Sequence, residues 1–99
     1  MLAACSPGEP NTFEVDTTSS PEAVATLVLC GKERPLERRG HVLTLVQPSR
    51  CEGEGAVRVQ FKDGRTTDCR IGYVTHGMGQ EFRYLLYEGV CEPVPRNVG

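Results

Sequence analysis

Residues 56–71 read AVRVQFKDGRTTDCRI, two runs of alternating apolar and polar residues on either side of a short polar turn. Such alternation is typical of antiparallel strands with one buried face, and Lys62-Asp63-Gly64 suits a type I turn that ends on a left-handed glycine. A turn at this place sets Val57 opposite Cys69. The pattern therefore predicts a hairpin that carries Cys69 on its apolar face.

A second hairpin is predicted near the C-terminus. Residues 81–87 and 90–94 flank Glu88-Gly89, a pair that favours a tight turn between two strands. This turn sets Leu86 opposite Cys91. Cys91 therefore also points toward a predominantly apolar face.

The segment before these strands predicts one short helix. Residues 19–22, SSPE, can supply an N-terminal cap, a proline in the first turn and a capping box, and Gly31 suits a helix end. Between them Val24, Leu27 and Val28 recur at helical spacing. The β-branched residues of this segment also permit a buried strand, but the start and stop signals favour a helix.

The predicted fold class is α+β: one short N-terminal helix packed on an antiparallel sheet of about four to six strands, stapled by disulfides. Two further short strands are predicted at 35–39 and 41–46. Residues 21–95 are predicted to form one compact domain. Residues 1–20 precede it as a disordered segment, and residues 96–99 follow it as a flexible tail.

Five cysteines stand at positions 5, 30, 51, 69 and 91. No two are close enough for the paired thiolates of a structural zinc site or for a thioredoxin-like redox motif. We therefore expect two disulfides among Cys30, Cys51, Cys69 and Cys91, formed in an oxidising compartment. Four cysteines allow three pairings. Cys51–Cys69 with Cys30–Cys91 is slightly favoured over Cys30–Cys51 with Cys69–Cys91.

The odd cysteine lies in a short motif, Leu2-Ala3-Ala4-Cys5. This motif resembles the lipobox of bacterial lipoproteins, in which a leucine and two small residues precede an obligatory cysteine. The resemblance implies that Cys5 becomes the lipidated first residue of the mature protein. It also implies that Ser6, which follows the cysteine where an aspartate would retain the protein at the inner membrane, directs it to the outer membrane on the periplasmic side.

Residues 6–20, SPGEPNTFEVDTTSS, have the composition of a tether, because they are rich in small, polar and turn-forming residues. Only Phe13 and Val15 are large and apolar. The lipobox remnant and this tether together make up residues 1–20. The alternative is that Phe13 and Val15 belong to a short edge strand that pairs with the domain.

The overall charge excludes some function classes. Eleven basic and thirteen acidic residues give a formal net charge of −2, which does not favour a nucleic-acid partner.

The longest apolar run, residues 23–30, is far shorter than the roughly 20 residues of a membrane-spanning helix. The spacing of acidic residues matches no EF-hand, and the glycine-rich loop after residue 74 is no phosphate-binding loop. No metal or cofactor is predicted.

Two segments are candidate binding sites. The first is a glycine-rich loop in which a histidine and a soft methionine side chain could meet a partner. It consists of Thr75, His76, Gly77, Met78 and Gly79. The second is a basic segment suited to an anionic partner such as a cell-wall carboxylate or a lipid headgroup. Its cations are Lys32, Arg34, Arg38 and Arg39. Each segment also has a simpler interpretation, which is favoured over the binding role. The loop is then a plain connector, and the basic segment is an edge strand protected by its charges.

The sequence predicts a monomeric, non-catalytic binding or accessory module for another envelope protein. The body of the chain, which includes the generic segments VQFKDG at 59–64 and GQEFRY at 79–84, resembles small lipoprotein inhibitors of lysozyme in its disulfide-stapled β architecture. This resemblance implies a narrower role as an inhibitor of a periplasmic hydrolase. One alternative is a small hydrolase or ligand-binding enzyme centred on His76. Another is a self-associating structural subunit of the envelope.

Overall fold

The computed structural model describes residues 10–47, 51–75 and 78–94, and the secondary structure of these residues consists of strands. The strands are β1 (Asn11–Asp16), β2 (Val24–Leu29), β3 (Lys32–Pro35), β4 (Glu37–Arg39), β5 (Val42–Gln47), β6 (Gly53–Gln60), β7 (Thr66–Val74), β8 (Glu81–Tyr87) and β9 (Val90–Pro93).

The strands form two sheets that pack face to face as a β-sandwich. One sheet has five strands in the order β4-β5-β1-β8-β9, and the other has four in the order β3-β2-β6-β7. Neighbouring strands are antiparallel except β1 and β8, which run parallel. The parallel pair places the first strand of the chain in the centre of the five-stranded sheet.

The hydrophobic core lies between the two sheets and is filled from alternate positions of each strand. In the five-stranded sheet the Phe13 ring stacks on the Phe82 ring, with centroids 5.2 Å apart. The main buried side chains of this sheet are Phe13, Val15, Leu43, Tyr84 and Leu86, and those of the four-stranded sheet are Ala25, Leu27, Leu29, Val57, Val59, Cys69 and Ile71.

The predicted N-terminal helix is wrong, and with it the α+β class. The segment is strand β2, in which Ala25, Leu27 and Leu29 are buried and alternate with more exposed side chains. A period of two buries these three apolar residues on one face, which helical spacing does not. Gly31, at φ 74°, and Cys30, at φ 54°, form the tight turn between β2 and β3 instead of a helix end.

The predicted tether is also wrong where it overlaps β1. Phe13 and Val15 are fully buried, and β1 pairs with β5 on one side and β8 on the other. The alternative is confirmed in that Phe13 and Val15 belong to a strand that pairs with the domain, but the expected edge position is wrong, because the strand is central. The polar residues Thr12, Glu14 and Asp16 face outward, and this alternation is itself the pattern of a half-buried strand. Residues 1–9, which include Cys5, and residues 96–99 lie outside the described part of the chain.

Both predicted hairpins are confirmed. Val57 lies opposite Cys69, and Leu86 lies opposite Cys91. In the first turn Gly64 has φ 93°, and its N–H donates a hydrogen bond to the Phe61 carbonyl at 2.9 Å. Turn chemistry and alternation were therefore sufficient to fix these two registers.

The favoured disulfide pairing is wrong and the alternative is confirmed: Cys30 bonds Cys51, with Cα atoms 6.5 Å apart, and Cys69 bonds Cys91, with Cα atoms 5.3 Å apart. Cys51 precedes the end of β6 that pairs with Val74, five residues along β7 from Cys69. Five strand residues span about 17 Å, too far for a disulfide. Cys69 and Cys91 instead lie on facing edge strands of the two sheets.

Covalent links close both sides of the sandwich. On one side the Cys69–Cys91 disulfide joins β7 to β9. On the other side the main chain itself crosses from β3 to β4 at Leu36, whose side chain is buried and whose N–H donates to the Ala25 carbonyl at 2.9 Å. No helix of the described residues is long and apolar enough to span a membrane.

Candidate functional site

The basic segment does not form one surface. Lys32 and Arg34 lie on β3 of the four-stranded sheet, whereas Arg38 and Arg39 lie on β4 of the other sheet. Arg39 pairs with Glu37 at 3.3 Å, and both side chains are largely exposed. The chain crossing at Leu36 thus divides the four cations predicted to act together.

Arg38 acts as a structural clamp. Its guanidinium donates to the Thr17 hydroxyl and the Gly40 carbonyl, each at 3.2 Å, and to the Ala23 carbonyl. Thr17 is fully buried, and its hydroxyl donates to the His41 carbonyl at 2.8 Å. These bonds tie β4 to the β1–β2 connection, so the guanidinium already has three acceptors within the protein.

The glycine-rich loop is held at both ends. His76 and Gly77 lie outside the described residues. Thr75 donates its N–H to the Gln80 side-chain oxygen at 2.7 Å, and Gln80 donates its N–H to the Asn11 side-chain oxygen at 2.8 Å. Met78 is exposed, and Gly79 has φ 64°. Asn11 is fully buried, so the loop ends are fixed to the start of β1.

The two predicted sites lie far apart. The loop follows β7 and the basic segment begins on β3, and these are opposite edge strands of the four-stranded sheet. Three inter-strand steps separate them by roughly 14 Å. The structure therefore does not bring the loop and the cations into one site.

A third surface, on the outer side of the β8–β9 hairpin, was not predicted. Tyr87 lies directly opposite Val90, and the Val94 N–H donates to the Arg83 carbonyl at 2.9 Å, which continues the pairing. Four exposed apolar side chains share this surface, and we call them the apolar hairpin patch. They are Leu85, Tyr87, Val90 and Val94, which are 36%, 55%, 53% and 44% exposed.

The sequence did contain a signal for this patch. In an antiparallel strand with one buried face, polar and apolar residues alternate. In β8 the alternation stops at Tyr84, after which Leu85, Leu86 and Tyr87 are all apolar. Leu86 is buried, so its two neighbours must face outward. A run of three apolar residues in an otherwise alternating strand thus indicates an apolar outer face.

Three carboxylates lie beside the apolar hairpin patch. Asp16 on β1 and Glu92 on β9 lie on either side of Leu85, and Glu88 follows Tyr87 in the turn. The Thr18 hydroxyl and N–H donate to Asp16 at 2.6 and 2.9 Å, and these hydrogen bonds lower the pKa of the Asp16 carboxyl. Asp16 is therefore a stable negative charge beside the patch.

A shallow cleft of about 330 Å³ lies beside the turn between β6 and β7. Its charged residues pair with one another: Lys62 with Glu22 at 3.1 Å, and Arg65 with Asp63 at 2.7 Å. Arg65 also lies over the Phe61 ring, 5.9 Å from its centroid. The cleft is lined by Ser20, Pro21, Glu22, Ala23, Phe61, Lys62, Asp63 and Arg65. Its charges are compensated internally, unlike those around the hairpin.

Fold and site together define a disulfide-stapled β-sandwich with an apolar patch on one edge hairpin. The sequence matches no family model, and comparisons with curated proteins and with solved structures give no match. Among the described residues there is no group of three or more His, Cys, Asp or Glu side chains that could hold a metal ion.

Proposed function

We propose that the protein is a non-catalytic binding module of the bacterial envelope, anchored in the outer membrane on its periplasmic side by a lipid on Cys5. It contacts another envelope protein through the apolar hairpin patch. That patch is the observation that carries the proposal. A narrower form of the proposal is that the protein inhibits a periplasmic hydrolase.

The size of the patch supports a binding role. Four half-exposed apolar side chains amount to roughly 300–400 Å² of accessible surface, within the range of the functional patches found on monomeric proteins. Covering apolar surface releases about 25 cal/mol per Å². A partner that covers the patch therefore gains several kcal/mol before the costs of association are subtracted.

The disulfides support both the compartment and the binding surface. Two disulfides in a small domain are typical of an oxidising compartment such as the periplasm. Cys91 lies within β9, between Val90 and Glu92, and its bond to the buried Cys69 holds the hairpin against the opposite sheet. A hairpin held in this way presents a pre-organised surface, which lowers the entropic cost of binding.

The position of Cys5 supports an outward-facing patch. Six residue steps separate Cys5 from Asn11 at the start of β1, and they can span at most about 22 Å. A lipid on Cys5 would thus keep the start of β1 close to the membrane. Because β8 runs parallel to β1, Tyr87 lies at the far end of the sandwich from Asn11. This arrangement presents the patch to the periplasm.

Photo-cross-linking in living cells tests this proposal. We would replace Tyr87 with p-benzoylphenylalanine in the lipidated protein and use Tyr73 as the matched control, because the two side chains are 55% and 56% exposed on different sheets. We expect one discrete heterologous adduct from position 87 and none from position 73. No adduct, equal adducts from both positions, or only an adduct of two copies of this chain would overturn the proposal.

Anchoring is tested separately. Cys5→Ser removes the thiol that would accept the lipid, so we expect the protein to move from the membrane fraction to the soluble periplasmic fraction. Ser6→Asp is the matched control, because it leaves the thiol in place. Retention of the Cys5→Ser variant in the membrane fraction would contradict a lipid anchor at this residue.

A further inference from the structure

We infer that the outer face of the five-stranded sheet binds a basic protein surface, one in which Lys and Arg side chains surround apolar residues. This inference rests on the proposed function and adds the chemistry of the partner. It is carried by the charge distribution around the apolar hairpin patch.

The outer face of the five-stranded sheet is acidic. The strand registers place two arginines, Arg39 and Arg83, on this face. Its carboxylates are Glu14, Asp16, Glu37, Glu81 and Glu92, and Glu88 adds one more in the β8–β9 turn. Six carboxylates against two guanidinium groups leave a formal charge of −4 here, more negative than the −2 of the whole chain.

Both arginines are already paired on the same face. Arg83 lies between Glu14 and Glu81, at 3.5 and 3.3 Å, and Arg39 pairs with Glu37. Of the six carboxylates on this face, Asp16, Glu88 and Glu92 remain. In the described part of the chain, none of these three forms an ion pair with a Lys or Arg side chain. They are the same three residues that border the apolar hairpin patch. The uncompensated negative charge is thus concentrated around the exposed apolar surface.

The outer face of the other sheet lacks this combination. Tyr73 is as exposed as Tyr87, but only Glu54 lies opposite it. Farther along β7, Arg58 pairs with Asp68 at 3.4 Å. This face therefore offers an exposed tyrosine without a border of unpaired carboxylates, and it serves as an internal control.

Charge complementarity selects the partner. Interfaces bring opposite potentials together, and like charges brought face to face cost binding energy. Two copies of this chain would set acidic borders against each other, and an anionic membrane surface would be repelled in the same way. A basic protein surface with an apolar centre satisfies both features of the site.

Three probe peptides of equal length test the inference. They alternate leucine with lysine, leucine with glutamate, and serine with lysine. The full chain carries Cys5→Ser and both disulfides, and binding is followed by NMR chemical shifts of its backbone amides. We expect the leucine–lysine peptide to bind, with shifts confined to β1, β8 and β9 and with affinity that falls as salt is raised. The other two peptides should bind at least about tenfold more weakly.

Paired variants locate the site. We expect Tyr87→Ser and Glu92→Lys each to weaken binding of the leucine–lysine peptide at least about tenfold. The matched controls Tyr73→Ser and Glu54→Lys on the other sheet should leave it unchanged. Amide spectra of the free variants establish that each is folded before binding is compared.

Several results would overturn the inference. These are equal binding of the leucine–glutamate peptide, shifts centred on the turn cleft near Lys62, or self-association of the chain through the patch. The two proposals also fail differently. No adduct at position 87 in cells contradicts the binding function itself. A heterologous adduct at position 87 together with equal binding of the acidic peptide contradicts only the basic partner.

Discussion

The Tyr84 hydroxyl donates a hydrogen bond to the Arg70 carbonyl, 2.8 Å away, and thereby joins β8 of one sheet to β7 of the other. Arg70 is the neighbour of Cys69, so this bond lies beside the Cys69–Cys91 disulfide. A polar link and a covalent link therefore hold the same side of the sandwich together.

Removing the Tyr84 hydroxyl should weaken that link. Tyr84→Phe leaves the Arg70 carbonyl without its partner, and we expect it to lower the free energy of unfolding by about 1–2 kcal/mol in urea titrations. Tyr73→Phe, at an exposed site on the other sheet, should change it by less than about 0.5 kcal/mol. Equal effects of the two substitutions would show that the hydrogen bond contributes nothing.

The same residue makes stability depend on alkaline pH. Burial raises the pKa of Tyr84 from 10.0 to about 12. Because the folded state holds the phenolic proton more tightly than the unfolded state, its stabilising contribution is complete below pH 10 and is lost as the pH rises through 12. We expect the melting temperature to fall more steeply over this interval in the wild type than in Tyr84→Phe. Parallel curves would contradict the assignment.

The two disulfides should contribute similarly to stability and differently to binding. They join residues 21 and 22 positions apart, so each should contribute about 3 kcal/mol in the chain-entropy model. We expect Cys30→Ala with Cys51→Ala, and Cys69→Ala with Cys91→Ala, to lower the free energy of unfolding by comparable amounts. Only the second pair of substitutions should weaken binding of the leucine–lysine peptide, because only it frees the β8–β9 hairpin.

The accessibility of the two disulfides leads to a separate prediction. Cys30 is exposed, whereas Cys69 is buried. Under limiting reductant, alkylation and peptide mass measurement should therefore detect free thiols at Cys30 and Cys51 before Cys69 and Cys91. Simultaneous labelling of all four would contradict this order. In excess reductant we expect a large fall in melting temperature, and a change of only a few degrees would show that neither disulfide is a structural staple.

Arg38 should matter for stability although its neighbour does not. Arg38→Lys cannot reproduce the branched contacts to Thr17, Gly40 and Ala23, and we expect a loss of about 1–2 kcal/mol in the free energy of unfolding. Arg39→Lys, on the same strand, loses only an exposed ion pair and should change it by less than about 0.5 kcal/mol. Comparable losses in both would argue against the clamp.

Local chemistry predicted the hairpins but not the first half of the sandwich. The registers of the β6–β7 and β8–β9 hairpins could be predicted because each turn, at Gly64 and at Gly89, joins two strands that are consecutive in the chain. The signals around β2 were ambiguous, since Ser20-Pro21 and Gly31 suit turns between strands as well as helix ends. The alternation of buried and exposed side chains in β2 is not visible in its sequence, VATLVL, because the outward-facing Val24 and Val28 are apolar as well.

Pairing between strands that lie far apart in the chain could not be predicted from the sequence. β1 pairs in parallel with β8, which lies about 70 residues later in the chain, and no turn links the two strands. The disulfide pairing depends on the same arrangement, because Cys69 and Cys91 meet only when the two sheets face each other. Of the site, the Leu85-Leu86-Tyr87 run could have been recognised. Its carboxylate border could not, since Asp16 reaches it through the β1–β8 pair.

The central position of β1 has a mechanical consequence. A pull on the chain ahead of Asn11 acts along the strand, and hydrogen bonds to β5 and β8 resist it on both sides at once. Bonds that lie across the direction of the pull are loaded in shear and must break together instead of one after another. The strand next to the proposed anchor is therefore also the strand best placed to withstand force transmitted from the membrane.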